Sequence, residues 1–232
     1  MTTNKLILWD IDHTLIETGG VGSEVFRDAF EQVTGRKIEK LADVTGRTEP
    51  IIFRETLAMY RIEDPGDYFP KFIQAQAEGY RSRAEEMRRR GRVLPGAREA
   101  LESLAAIPDI HQTILTGNPR ASAEAKLSIF DLATWLNGDT GAYGDDDAVR
   151  ANLIGIARQR AREQTGITFT EKTTVIIGDS PSDVEAALKG GAQVIAVASG
   201  STTVKELKSA GAATVVDDLA DTAAIRRVVV DF

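Results

Sequence analysis

Two kinds of segment alternate along the chain. Short, unbroken apolar runs fall at residues 5–9, 111–115, 173–177, 193–197 and 214–216. Each is too short for an amphipathic helix and too continuous for a half-exposed strand, so each predicts a strand buried on both faces. Helical spacing of apolar residues appears at 98–106, 120–130, 148–165, 182–189 and 203–210. Strands alternating with helices predict an α/β fold, a doubly wound parallel sheet with helices on both sides.

Residues 17–92 break that rhythm. They offer helical patterns at 23–34, 50–60 and 68–90 and no clear strand. Turn-rich sequence brackets them, Gly19-Gly20 on one side and GRVLPG (91–96) on the other. The expected organisation is an α/β core built from residues 1–16 and 93–232, with an inserted helical cap domain at 17–92. Within the insert, RSRAEEMRRRGR (81–92) is the strongest charge run. Glu85 with Arg89 and Glu86 with Arg90 have the favourable spacing of four on a helix. A solvated helix face is expected there, with a basic rim for anionic substrates as the lesser alternative.

Composition narrows the classes. A hydrophobic fraction of 42% and a charged fraction of 27% are ordinary for a globular chain. A net charge of -7 disfavours general binding to nucleic acid or to an anionic membrane surface. Any anion must therefore be held by a local site or a metal. With no cysteine, disulfides and thiolate metal sites are excluded. The sequence shows no basic leader followed by an apolar stretch, and no apolar run long enough to span a bilayer. A cytoplasmic monomer or small homo-oligomer is the expectation.

The candidate chemistry lies where the strands end, the place where parallel sheets bind ligands. The first strand runs into WDIDHT and delivers Asp10 and Asp12, two like charges that need a cation or a shared proton. Magnesium is suited to that task, since it takes oxygen ligands from one or two carboxylates. ILTGNPR (114–120) adds the hydroxyl of Thr116, close backbone approach at Gly117, and Asn118 as a helix N-cap ahead of Pro119. VIIGDSPSD (175–183) adds Asp179 at a strand end and Asp183 in a first helical turn, where it could cap its own helix or reach a metal. Arg150, at the head of a helix, is the first choice for the cation that balances a phosphate, with Lys126 the alternative. His13, one of two histidines, is expected to have a loop role.

Taken in order, Asp-x-Asp-x-Thr, Thr-Gly-Asn, Arg and Gly-Asp-x-x-x-Asp resemble the haloacid dehalogenase superfamily, and within it the phosphoglycolate phosphatase-like branch. The resemblance covers nearly the whole chain and implies a Rossmann-like core with a helical cap. It implies that Asp10 is a nucleophile forming an aspartyl-phosphate, and that Asp12 is the general acid and base. Thr116, Gly117, Asn118 and Arg150 would hold the phosphoryl group. Mg2+ would be bound by Asp10, the Asp12 main-chain carbonyl, Asp179 and Asp183. The cap loop with Thr45, Gly46 and Arg47 would face the substrate, a small phosphorylated metabolite. Arg47 could recognise a carboxylate or a second phosphate. A 2-haloacid dehalogenase and a sugar phosphomutase are the enzymatic alternatives; Asp12 argues against the first. A phospho-accepting signalling or binding protein is the alternative without catalysis.

Overall fold

The computed structural model describes residues 4–232. Five parallel strands form the sheet: β1 (Lys5–Trp9), β4 (Ile110–Ile114), β5 (Thr174–Gly178), β6 (Gln193–Val197) and β7 (Thr214–Val216), in spatial order β4-β1-β5-β6-β7. The two remaining strands, β2 (Ile16–Glu17) and β3 (Arg92–Val93), pair antiparallel with each other. They were not expected from the sequence, because two residues carry no periodicity. They join the stems of the segment between β1 and the rest of the core.

Alternation explains why the strands read as continuous apolar runs. Ile7 and Trp9 of β1, Val175 and Ile177 of β5, and Ile195 and Val197 of β6 enter one hydrophobic cluster. Leu6, Leu8, Ile176, Val194 and Ala196 enter another on the opposite face. Helices cover both sides, so neither set of side chains meets water. α5 (Ala97–Ala105) and α10 (Thr222–Asp231) bury Leu101, Leu104, Ile225 and Val229 in the first cluster. α7 (Arg150–Thr165) and α8 (Pro181–Gly190) bury Leu153, Ile154 and Val184 in the second. The short helix α9 (Val204–Ser209) adds Leu207. α10 had no counterpart in the predicted elements; the β-branched run Val228-Val229-Val230 masks its helical spacing.

The insert carries α1 (Val21–Thr34), α2 (Glu49–Met59), α3 (Tyr68–Ser82) and α4 (Ala84–Arg90). The single helix expected over 68–90 is broken at Arg83, whose φ of -104° and ψ of 21° leave the helical region. Phe26, Phe30, Phe53 and Phe72 form a separate aromatic cluster there, with Phe53 and Phe72 rings 4.6 Å apart. The charge run is largely exposed, as a solvated face would be, and is laced with ion pairs. Arg90 pairs with Glu24 and Glu86 at 2.7 Å each, Arg83 pairs with Asp28, and Arg88 donates to the Ile129 carbonyl. No pair between Glu85 and Arg89 occurs among the described residues.

Candidate active site

Register places the chemistry. Trp9 lies level with Ile114 on one side and Ile177 on the other. One residue on, the Leu115 amide donates to the Trp9 carbonyl and the Asp10 amide to the Ile177 carbonyl. The segments bearing Asp10, Thr116 and Asp179 therefore leave the sheet side by side at its carboxyl end. Because β4 and β5 flank β1, their connections depart in opposite directions and open a crevice there. A cavity of about 220 Å³ fills that crevice and reaches the insert.

Its floor has two halves. In the first, carboxylate oxygens of the buried Asp10, Asp179 and Asp183 all lie within 4.8 Å of one another. Arg150 Nη2 stands 2.9 Å from Asp10 Oδ1 and 2.5 Å from Asp183 Oδ1. Its Nε is buried with no hydrogen-bond partner among the described residues. Asp183 serves two ends: Oδ2 accepts from the Ser180 amide and hydroxyl and closes a capping box on α8, while Oδ1 faces Arg150. Thr14 donates to Asp179 at 3.3 Å. Burial, then repulsion from Asp183 and Asp12, pushes the Asp10 carboxyl up to about 7 against the pull of Arg150. Burial with repulsion from Asp10 and Asp183 pushes Asp179 to about 8.

The second half is charge-matched. Lys126 Nζ donates to both oxygens of Asp12, at 2.9 and 2.7 Å, and to Asn118 Oδ1 at 2.7 Å. Asn118 Nδ2 donates to Asp12 Oδ2 and to Thr116 Oγ1. Burial works upward on Asp12, but Lys126 and Asn118 outweigh it and hold the carboxyl below its ordinary range. Asn118 is not the N-cap that the sequence suggested. α6 (Arg120–Ile129) begins two residues later, with Pro119 at the cap position. The Asn118 side chain is committed to Asp12 and Lys126 instead. The amide of Arg120 is taken by Asp145, and those of Ser122 and Ala123 by the Pro119 carbonyl.

The loop of residues 44–48 is seated on the floor. A Cβ on Gly117 would lie 2.3 Å from the Arg47 carbonyl, and one on Gly46 would lie 2.5 Å from Ser182. The Glu49 amide donates to the Gly117 carbonyl at 2.8 Å. Thr48 stands at the cap position of α2, but its hydroxyl turns to the Ala148 carbonyl and no side-chain cap forms. Thr45, Gly46 and Arg47 line the cavity, and the Arg47 guanidinium is paired with Glu55. His13 lies at the exposed rim with a φ of 61°, and its carbonyl accepts from Ser199 at 2.5 Å. That left-handed backbone favours glycine at the position.

Sequence reasoning missed Glu49, Gln76 and Tyr80, all on the cavity wall, and ranked Lys126 second. Ser122 and Lys126 are four apart on the buried face of α6, beside Ala123 and Leu127, and a lysine in that stripe was the available signal.

The model of the haloacid dehalogenase-like hydrolases matches residues 7–188. The chain belongs to that family. Among solved structures, a hydrolase from Pseudomonas syringae is 20% identical with a TM-score of 0.69, covering 98% of this chain and 99% of its own. A predicted phosphatase from Clostridium acetobutylicum is 19% identical with a TM-score of 0.68, and 100% of each chain is covered. A predicted phosphoglycolate phosphatase from Haemophilus somnus 129pt is 20% identical with a TM-score of 0.68, covering 97% and 99%. At these identities the likeness is one of fold. No curated protein matches the sequence. Among the described residues no helix is long and apolar enough to cross a membrane.

Proposed function

We propose that the protein is a magnesium-dependent phosphomonoesterase that hydrolyses a small phosphorylated metabolite through an aspartyl-phosphate on Asp10. The observation that carries the reading is the division of the floor. One motif aspartate sits in a carboxylate cluster beside an arginine, and the other is held by a lysine and an amide.

The cluster fits Mg2+ by its donor chemistry. Asp10, Asp179 and Asp183 offer only oxygen, the donor that hard cations take. Their raised proton affinity measures a repulsion that a cation relieves. When bound, Mg2+ would offset the charge of the carboxylates and of a dianionic ester, letting the two approach.

The remaining steps belong to side chains. An Asp10 oxygen attacks phosphorus, a P–O bond forms, and the bond to the leaving alkoxide breaks. Asp12 gives its proton to that alkoxide, then takes one from the water that cleaves the acyl phosphate. An incoming dianion raises the proton affinity of Asp12 against the hold of Lys126, which readies it as an acid. Thr116, the Gly117 and Asn118 backbone, and Arg150 would steady the phosphoryl oxygens. The unpartnered Nε of Arg150 is a donor suited to one of them. The insert, as a cap, would exclude water during transfer.

The test is phosphate release from small esters with Mg2+ by wild type and Asp10→Asn. Loss of at least about 10³-fold in the variant is expected for a covalent nucleophile. Equal release by both proteins would sink the assignment. Halide release from 2-haloacids without metal would favour the dehalogenase.

A further inference from the structure

The floor accounts for the phosphate-binding part of the cavity, but not for the wall beside Asp12 and Lys126. There Glu49, the first residue of α2, is buried to 8% exposure and lines the cavity. Its backbone is fixed by the hydrogen bond to Gly117. Gln76 Nε2 donates to Glu49 Oε1 at 2.5 Å, and Gln76 Oε1 accepts from Ser122 Oγ at 2.8 Å. Ser122 is on α6 of the core, so the chain of bonds orients the Gln76 amide with its donor on Glu49. That amide is the one hydrogen-bond donor recorded on the Glu49 carboxylate among the described residues.

The surroundings of Glu49 limit what it can meet. Phe26, Leu41 and Ile52 also line the cavity with apolar side chains, and the neighbouring Tyr80 adds a neutral hydroxyl but no positive charge. Every guanidinium or ammonium on the wall is engaged. Arg47 is paired with Glu55 and lies 4.0 Å from Asp43; Lys126 is paired with Asp12; Arg150 is paired with Asp10 and Asp183. Above about pH 7, where Glu49 is ionised, a leaving group ending in a carboxylate would face it with the neighbouring Lys126 already paired to Asp12, and like charges in a desolvated site repel strongly. A hydroxyl donor has the opposite fate: it finds a fixed acceptor. Burial lifts the Glu49 carboxyl to about 7, a cost that an incoming donor offsets. The volume of about 220 Å³ lies below the ~300–1,000 Å³ of pockets for drug-sized ligands, so the leaving group is small.

We propose that Glu49, oriented by Gln76, selects phosphate esters of a small alcohol that carries a second hydroxyl, and disfavours esters whose leaving group ends in a carboxylate. The inference rests on the phosphomonoesterase reading and names the substrate class of that site. Glycolate-type esters, which the fold resemblance suggests, fall on the disfavoured side.

The experiment measures kcat/KM of the full chain with Mg2+ for glycerol 3-phosphate, ethyl phosphate and 2-phosphoglycolate, for wild type and for the isosteric Glu49→Gln. In wild type, glycerol 3-phosphate should exceed ethyl phosphate by about tenfold or more, the scale of one hydrogen bond to a charged group. 2-Phosphoglycolate should be the poorest of the three. In Glu49→Gln the ratio of glycerol 3-phosphate to 2-phosphoglycolate should fall about tenfold. A wild-type preference for 2-phosphoglycolate overturns the proposal while leaving the phosphatase reading intact. So does a variant that scales all three esters by one factor, since that is a structural effect. Failure of every ester to release phosphate, with Mg2+ present, overturns the phosphatase reading and the inference with it.

Discussion

Asp10 and Asp12 are two residues apart, yet their surroundings push them in opposite directions. Around Asp10, three buried carboxylates share one guanidinium, and the charge does not balance. Around Asp12, one carboxylate has an ammonium and an amide to itself. Pairs of titratable groups whose environments diverge are the usual mark of separated catalytic roles. On the proposed function, the unbalanced half would take a cation and an anion together, and the balanced half would move a proton.

Removing the cation from each half tests that contrast. Arg150→Ala should lower kcat by about 10³-fold, because an arginine on the transferring phosphoryl group carries charge that develops in the transition state. Lys126→Met should cost less, about 10–10²-fold, and should leave a different signature. Without Lys126 the half-buried Asp12 carboxyl loses what holds it down, so the alkaline limb of the pH–rate profile, which reports the acid that must be protonated, should move to higher pH. If Lys126→Met is the more damaging and Arg150→Ala is mild, the cations have been assigned to the wrong halves.

Magnesium should act on one half only. At pH 8 and a hundredfold excess over Kd, Mg2+ should raise Tm by roughly 5–10 °C. Asp179→Asn should abolish that rise and at the same time stabilise the metal-free protein, because it removes one of the repelling carboxylates. An unchanged response in Asp179→Asn would show that the metal binds elsewhere.

Much of this site was legible beforehand, for a reason that lies in the fold. Asp10, Thr116 and Asp179 follow apolar runs, so reading the strands locates their ends, and parallel register brings those ends together. Asp183 was legible as a cap or a metal ligand, and its pairing with Arg150 was not, since that partner is 33 residues away. Lys126 and Gln76 sit within helices whose spacing reports only burial; which buried polar residue meets which depends on how α3 packs against α6. The break at Arg83 and the pairing of β2 with β3 are likewise tertiary outcomes with no local pattern.

Glu49 extends the comparison to the wall above Asp12, and its effect is the smallest of those expected. Its carboxyl rises from 4.5 to about 7 on folding, so between those pH values the native state binds more protons than the unfolded chain. Stability from this group is therefore full below about pH 4.5 and is lost as pH rises through 7. Glu49→Gln removes the titration and keeps the shape. Relative to wild type, the variant should become more stable by about 2 kcal/mol as pH goes from 5 to 8, measured by urea unfolding without metal. The carboxylates of the Asp10 half titrate in both proteins, so they cancel in the difference. A flat difference would mean that Lys126 already neutralises Glu49. The wall would then belong to the balanced half, and the charge that separates hydroxylated from carboxylated leaving groups would be absent.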